Sequence, residues 1–589
     1  MGYGTRITPA WILAVLLLVS GMATAKYSGG AGTEPNPYRI GNTADWETLS
    51  LTPEDWDSYF VLMGDINFGG GAMIPVGTEA QPFTGVFNGN GRAVRNGSIA
   101  WPESDYIGPF ANLGAGCEIR NLGVEGVTVT GHSYVGGLAG CNQGGAITSC
   151  YTSSAVLGTG NSVGGLIGYN ENGMVTFCHA SGAVTGISTP SESWYVGGLV
   201  GWNTTHSTVS SSYATGAVTG SIFYSGGLVG YNTDESTLAS CYATGQVITG
   251  DSYGGGLVGC SSHSTISACY ATGAITGADE AGGLIGSDYR SVLSNCYASG
   301  SVSGSGYLGG LAGYISGSTV MHCHAGGVIS GEYYVGGLVG RVGSGTVTFC
   351  YANGPVEGDE DVGGLAGCIG GGTVIYCFAG GAVTGTTNAG GLAGSIYGTV
   401  DYPTAVAHCY ARGAVSGAYC LGGLVGYLQR YGSIGYSYAT GAVSGDTDTG
   451  GLVGCGIGTV TSSYWDTMTT GEDSSEGGEG RATDDMTWPY GENTFTGWDF
   501  ETVWSADTSG SINNGYPYLL DNVPNLPHPA DINNDFRVAL SEAIAYLTGW
   551  QAGSNPMAYA IRAAYLWQNG ERYAYEPDED PPVCWVLAP

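Results

Sequence analysis

The sequence predicts a mainly β chain built as a parallel β-solenoid (β-helix) of about twelve coils with end caps, followed by a small C-terminal helical calcium-loop module. Three observations predict it: a short motif recurs at nearly constant spacing, residues alternate inward and outward within each copy, and glycine is abundant without a collagen-like period. The pentapeptide G-G-L-[VAI]-G occurs twelve times, with its leucine at Leu138, Leu166, Leu199, Leu228, Leu257, Leu284, Leu311, Leu338, Leu365, Leu392, Leu424 and Leu452. The intervals are 28, 33, 29 and 29 residues, then 27 five times, then 32 and 28. In residues 241–247, Cys, Ala, Gly and Val alternate with Tyr, Thr and Gln, the period of a half-buried strand. Glycine supplies 109 of 589 residues. Each would cost about 1 kcal/mol inside a helix, and glycines instead suit tight turns between short strands. A unit this small cannot bury its own inner face, so copies must stack.

The chain divides by composition. Residues 1–25 read as a secretory signal: Arg6 supplies the positive charge, the stretch from Trp11 to Val19 the apolar run, and Ala23-Thr24-Ala25 the cleavage site. The expected location is secreted or cell surface, and no later stretch is long and apolar enough for a membrane span. Residues 26–130 form an N-terminal cap with degenerate first coils, 131–465 the repeats, 466–522 a C-terminal cap, 523–530 a linker, 531–575 the calcium-loop module and 576–589 a tail. Within the C-terminal cap, Trp488, Trp498 and Trp504 are expected to plug the open end of the core. Acidic residues number 48 against 14 basic, for a net charge of −34. Such a surface repels nucleic acid and anionic lipid, which excludes both as main partners. Acids also recur four positions before the pentapeptide, at Asp251, Glu332, Asp359 and Asp446, and read as solvated turns.

Nine of the 16 cysteines share one repeat position: Cys150, Cys178, Cys241, Cys269, Cys296, Cys323, Cys350, Cys377 and Cys409, with serine there at Ser212, Ser437 and Ser463. Side chains stacked on parallel strands point the same way, a poor disulfide geometry, so free buried thiols are expected. Cys141, Cys260, Cys368 and Cys455 share a second position but lie too many coils apart to pair with one another. After the inward cysteine comes an outward column of twelve rings: Tyr151, His179, Tyr213, Tyr242, Tyr270, Tyr297, His324, Tyr351, Phe378, Tyr410, Tyr438 and Tyr464. These rings either stack to stabilise the rod or bind a glycan or partner surface, and stacking is the preferred reading.

With the spaced C-Y-A-x-G-x-V strand, the pentapeptides resemble those of bacterial GLUG-motif repeat proteins. The flanks match the same family: Tyr38-Arg39-Ile40, Tyr59-Phe60-Val61-Leu62 and Phe83-Thr84-Gly85-Val86-Phe87 before the array; Ser463-Tyr464-Trp465-Asp466 and Asn514-Gly515-Tyr516-Pro517-Tyr518-Leu519 after it. The resemblance spans roughly residues 38–520 and implies an extracellular or surface setting, while leaving activity open.

Beyond the array, Asp531, Asn533, Asp535, Arg537 and Glu542 have the spacing of an EF-hand loop, with side-chain oxygens at loop positions 1, 3, 5 and 12 and the Arg537 carbonyl at 7. The loop and its following helix are similar to a dockerin module. Phe536 stands where glycine makes the sharp turn, Ala539 offers no ligand, and residues 555–573 hold no second loop. The reading is a calcium site; the alternative is a solvated acidic turn capping a helix.

No enzymatic activity is expected. Gly250-Asp251-Ser252-Tyr253-Gly254 fits G-x-S-x-G but lies at an inter-strand turn rather than a nucleophile elbow. His322 and His324 place two imidazoles on one strand face, and no H-E-x-x-H occurs. The expected function is a non-catalytic structural or adhesive rod that binds a glycan or cell-surface protein and is presented through a calcium-binding module. The alternative is a β-helical carbohydrate-active enzyme, a polysaccharide lyase or hydrolase.

Overall fold

The structure is a computed structural model describing residues 26–187, 194–221, 223–250, 253–520, 543–544, 546–547, 557–568, 573–575 and 585–587. It is a parallel β-solenoid of about 14 turns. The additional turns come from the N-terminal flank, whose strands already pair in parallel, as Phe60 does with Phe87 and Phe87 with Ile119. At ~4.8 Å per turn the rod is roughly 65 Å long. The first 25 residues lie outside the described residues.

The N-terminal end of the core is closed by helix α1 (Thr43–Ser50), capped by the Asn42 side chain, which accepts the Asp45 N–H at 3.1 Å. Its Trp46 packs edge-on against Phe87 and Phe110.

One coil shows the plan. Strand β1 (Val229–Thr233), β2 (Thr237–Ala239) and β3 (Tyr242–Ala243) belong to one long sheet, while β4 (Val247–Thr249) and β5 (Tyr253–Gly255) belong to the second. Equivalent residues pair between neighbouring coils: Val229 with Val258, Tyr231 with Cys260, Tyr242 with Tyr270. The period-two alternation holds through the strand, with Cys241, Ala243 and Val247 buried and Tyr242 half-buried between them. Every pentapeptide leucine is buried.

Glycine acts differently from the turn-forming role expected of it. A Cβ on Gly226 would lie 2.0 Å from the Val229 carbonyl oxygen, and one on Gly227 2.0 Å from that of Gly256 in the next coil. These glycines permit close backbone approach. The sharp corner is instead made by a non-glycine residue immediately before each inward Cys or Ser, at φ between 44° and 57°, in all twelve coils from Ser149 to Ser462. The left-handed conformation costs such a residue about 1–2 kcal/mol.

The inward Cys or Ser satisfies that corner. The Cys296 N–H donates to Cys323 Sγ at 3.4 Å, and Cys323 Sγ approaches the Met321 carbonyl at 3.2 Å. Serine reproduces both contacts: Cys409 N–H donates to Ser437 Oγ at 3.1 Å, and Ser437 Oγ donates to the Gly435 carbonyl at 2.8 Å. All nine cysteines of this column are buried and stand outside any disulfide. Burial pushes the Cys296 thiol well above its ordinary range, which disfavours the reactive thiolate.

A second inward column is polar. Asn142, Asn170 and Asn203 each donate an amide hydrogen bond to the next asparagine at 2.8 Å, the run ending on Asn232. The column continues through Ser261 to Asp288 and ends at Ile315. Asp288 is fully buried, and its carboxyl oxygens make no hydrogen bond among the described residues. Burial pushes its carboxyl up to about 6; the hydroxyls of Ser318, Ser291 and Ser261 lie near enough to oppose that shift, though not in hydrogen-bonding geometry.

The C-terminal flank departs from expectation. The core ends on Trp465, which stacks at the position of Ala439 and whose Nε1–H donates to the Glu472 carbonyl at 3.1 Å. Trp498 and Trp504 do not plug this end. Residues 479–481 add a last parallel strand against 464–466, and the chain to residue 520 then runs back along the outside, placing Phe495, Trp498, Trp504 and Tyr516 over Tyr351, Phe378, Tyr410, Tyr438 and Tyr464. Trp504 Nε1–H donates to His408 Nδ1 at 3.2 Å, and Trp488 is 50% exposed. One bulky residue after Tyr464 suffices to end the stack, which leaves the other tryptophans for the side.

A folded carboxyl near 6 against an unfolded value of ~3.9 means that the native state binds the Asp288 proton more tightly. Its contribution is therefore present below about pH 4 and lost as pH rises through about 6, a change of roughly 3 kcal/mol. Asp288→Asn should raise stability at pH 7.5 and flatten the pH dependence between 4 and 7, measured by chemical denaturation across that range. A variant less stable than the parent at pH 7.5 would contradict this.

Candidate functional site

Two columns meet along one edge of the rod. One comes from residues four before each pentapeptide leucine, at the β5 position, and the other from residues three after it, within the β1 position. In the first half of the array the edge is aromatic: Tyr106, Tyr134, Tyr169, Tyr195, Trp202, Tyr224, Tyr231 and Tyr253 are all half-buried. Their centroids lie close: 5.4 Å for Tyr134–Tyr169, 5.1 Å for Tyr169–Trp202 and Tyr195–Trp202, 5.0 Å for Tyr195–Tyr231 and 4.8 Å for Tyr224–Tyr253. Of these pairs Tyr195–Tyr231 is stacked and the others are tilted or edge-on, so neighbouring rings cover one another only in part. Burial, with help from Glu79, pushes the Tyr106 hydroxyl up to about 12.

Further along the same edge polar groups enter singly. Glu280 is hydrogen-bonded by Ser287, and burial pushes its carboxyl up. Arg341 lies over the Tyr307 and Tyr334 rings, at 5.8 and 5.9 Å from their centroids. Asp361 accepts from Asn388 Nδ2 at 2.9 Å and from the Tyr397 hydroxyl at 3.2 Å. The edge closes with a Cys420–Cys455 disulfide, Cα–Cα 5.3 Å. Cys455 thus pairs with the facing column, not with the cysteines of its own. Asp448 lies beside this bond, but sulfurs bonded to each other offer no thiolate to a metal.

The interval of 32 residues between Leu392 and Leu424, five more than the run of 27-residue intervals before it, produces the one clear departure from the repeat in this region. The strands resume in register, Gly370 pairing with Tyr397 and Thr373 with Ala405, so the extra residues, 399–403, loop outward. Thr404 Oγ1 accepts the Gly371 N–H at 2.7 Å and donates to the Tyr397 carbonyl, while Thr399 and Tyr402 close the loop on each other at 3.0 and 3.1 Å. Loop and rod enclose a cleft of about 510 Å³ beside Arg341, walled by Tyr397, Tyr402, Thr399, Ser344 and Gln429, with a glycine floor at 343, 370, 371 and 398.

The ring column behaves as the preferred reading has it. Successive rings from Tyr151 to Tyr438 stack at 4.7–5.2 Å, within 7° of parallel. Both faces of each ring are spent on its neighbours, so no face remains to stack on a sugar. His324 stands in this column, whereas His322 is a corner residue stacked on Phe349 at 5.0 Å. Asp531, Asn533, Asp535, Arg537 and Glu542 lie outside the described residues, as do Asp251 and Ser252 of the G-x-S-x-G stretch. The aromatic edge and the cleft were missed from sequence; their signals were the aromatic residues at two offsets from the leucines of the first coils and the 32-residue interval.

A family model described as the GLUG motif matches residues 159–185, 192–219, 222–249 and 417–444, and the chain carries GLUG repeats there. A candidate Gly-rich membrane protein of Evansella cellulosilytica is 34% identical over 126 residues, 20% of this chain. Halomucin of Haloquadratum walsbyi is 30% identical over 122 residues, 19% of this chain. The chain spans 14% and 1% of the length of these curated relatives. Among solved structures, an IgA1 protease shares 18% identity at a TM-score of 0.29, over 49% of this chain and 21% of that one. A candidate immunoglobulin A1 protease from Bacteroides ovatus shares 16% at 0.18, over 84% and 96%. The expectation that the chain is not an enzyme is corrected on this finding: both structural neighbours are described as proteases, and an absence of activity is not carried forward. Likenesses this distant carry no argument about which activity, if any, this chain has. Among the described residues no helix is long and apolar enough to cross a membrane.

Tyr334 holds the same offset as Cys420, at φ 53° against 54°, and Cys368 the same offset as Cys455. Tyr334→Cys should therefore form a disulfide with Cys368, seen as the loss of two titratable thiols and a cross-linked peptide on mapping. Two free thiols after oxidation would show that the facing columns are misplaced.

Proposed function

We propose that the chain is an extracellular structural and adhesive rod that binds a hydroxyl-rich partner, a glycan before a protein, along its aromatic edge. The observation that carries this reading is the run of eight half-buried aromatic residues from Tyr106 to Tyr253. Tyrosine offers an apolar body and a polar tip, which suits a partner with both C–H faces and hydroxyls. No lysine or arginine interrupts that run at either column position, and the net charge of −34 disfavours polyanions at long range. The signal-like leader supports the extracellular placement. The EF-hand spacing supports a calcium-binding C-terminal module that presents the rod.

The mature chain should bind neutral polysaccharides in a panel scored for both retention and turnover. Replacing Tyr195, Trp202 and Tyr231 together by Ala should weaken binding at least tenfold, because each aromatic ring packed on a partner is worth roughly 0.5–1.5 kcal/mol. Tyr242→Ala in the stacked column should leave binding unchanged. Equal losses from both would sink the assignment of binding to the edge.

Calcium should stabilise the C-terminal segment alone. A melting step that shifts with a chelator, and is abolished by Asp531→Ala with Glu542→Ala, is the expected result. A chelator-insensitive profile would remove the calcium proposal.

A further inference from the structure

We infer that the cleft beside Arg341 is a binding site for a carboxylate-bearing sugar, with the guanidinium taking the carboxylate and Tyr397 and Tyr402 taking the ring. The inference deepens the glycan reading and rests on it, but concerns a different place on the rod and a different chemical class of sugar residue.

Four observations converge. First, the cleft exists only because the coil carries five extra residues; a repeat array otherwise presents the same surface at every turn, and insertions on such scaffolds are where sites are built. Second, its volume of about 510 Å³ falls within the range of small-ligand sites. Third, Arg341 has donors to spare. Its Nη1–H reaches the Tyr307 hydroxyl at 3.4 Å, while its buried Nε–H has no acceptor among the described residues. Nη2 points towards the floor, 3.9 Å from where a Cβ on Gly370 would stand. The guanidinium lines the cleft, and its planar Nη edge matches the two oxygens of a planar carboxylate better than a point anion. Fourth, none of the lining residues is acidic, although acidic residues outnumber basic ones more than threefold in the chain.

The remaining walls fit a hydroxylated ring. Thr399, Ser344 and Gln429 offer donors and acceptors, and Tyr402, 68% exposed, stands at the mouth where a saccharide face can cover it. Tyr397 is held in place from behind by Asp361 through its hydroxyl. Glycine at 370 and 371 leaves the backbone bare, which lets a ring approach closely.

The full-length protein is titrated with glucuronic acid, glucose, acetate and inorganic phosphate, followed by calorimetry and by tyrosine fluorescence. Saturable binding of glucuronic acid, at least tenfold tighter than glucose or acetate, is expected. Arg341→Ala should weaken it roughly 10- to 100-fold, the range for a charged hydrogen bond. Because Arg341 also packs on Tyr307 and Tyr334, a second variant deletes residues 399–403. This restores the 27-residue spacing of five neighbouring intervals and should keep the melting temperature while abolishing the site. No saturable binding of glucuronic acid, equal binding of glucose or acetate, tighter binding of phosphate, or unchanged affinity in both variants would each overturn the inference. Unchanged neutral-polysaccharide binding in the Tyr195, Trp202 and Tyr231 variant, with glucuronic acid binding intact, would fail the edge reading and leave this site standing.

Discussion

Every side chain in the array must tolerate a near-copy of itself about 4.8 Å away, because coils stack in register. Apolar groups, thiols, hydroxyls and aromatic rings meet that condition at no cost. Asparagine meets it by donating to the next amide, as in the run from Asn142 to Asn232. Ionised groups do not. Two like charges at that distance repel by about 1 kcal/mol in water and about 4 kcal/mol at an effective dielectric of 20. The acids expected at solvated turns, Glu332, Asp359 and Asp446, are accordingly exposed. On the half-buried edge they enter every third coil, at Glu280, Asp361 and Asp448, and the core column admits only Asp288.

The same constraint explains the corner. A left-handed residue at every turn would sum to a large penalty unless each corner were held, and the inward Cys or Ser holds it by accepting the preceding coil's N–H. The requirement is a small side chain with one polar atom at that point, which is why thiol and hydroxyl interchange. Cysteine is therefore common here for its size and weak hydrogen bonding, with no oxidative chemistry required. The one disulfide among the described residues forms where the facing columns bring two cysteines together from opposite directions, which no stack within one column does.

How much was legible in the sequence follows from this. Periodic features were readable because twelve copies repeat the signal: the solenoid, the inward set of Cys, Ala and Val, and the stacked rings. Features that depend on how one offset faces another across a corner were not. The Cys420–Cys455 pair and the aromatic edge both require knowing that positions four before and three after the leucine converge. The tryptophans misled for a related reason. Three in a flank read as a plug, yet Trp465 alone fills the one remaining core position, and Trp498 and Trp504 are buried on the outer rings. The calcium ligands were legible as spacing only.

The two aromatic surfaces illustrate why a repeat protein's function resides where its symmetry fails. In the column from Tyr151 to Tyr438, perfect stacking consumes every ring face, and the chain itself covers the C-terminal portion with Trp498 and Trp504. That surface is structural because it is regular. Along the edge, rings from two columns interleave at unequal offsets and angles, so they cover one another only in part and stay half-buried. Five further residues on the same side break the period and open a cleft around an arginine that the rod alone does not saturate. Regularity supplies the stiffness of the rod, and each irregularity leaves chemical groups unspent, which is the condition for binding anything else.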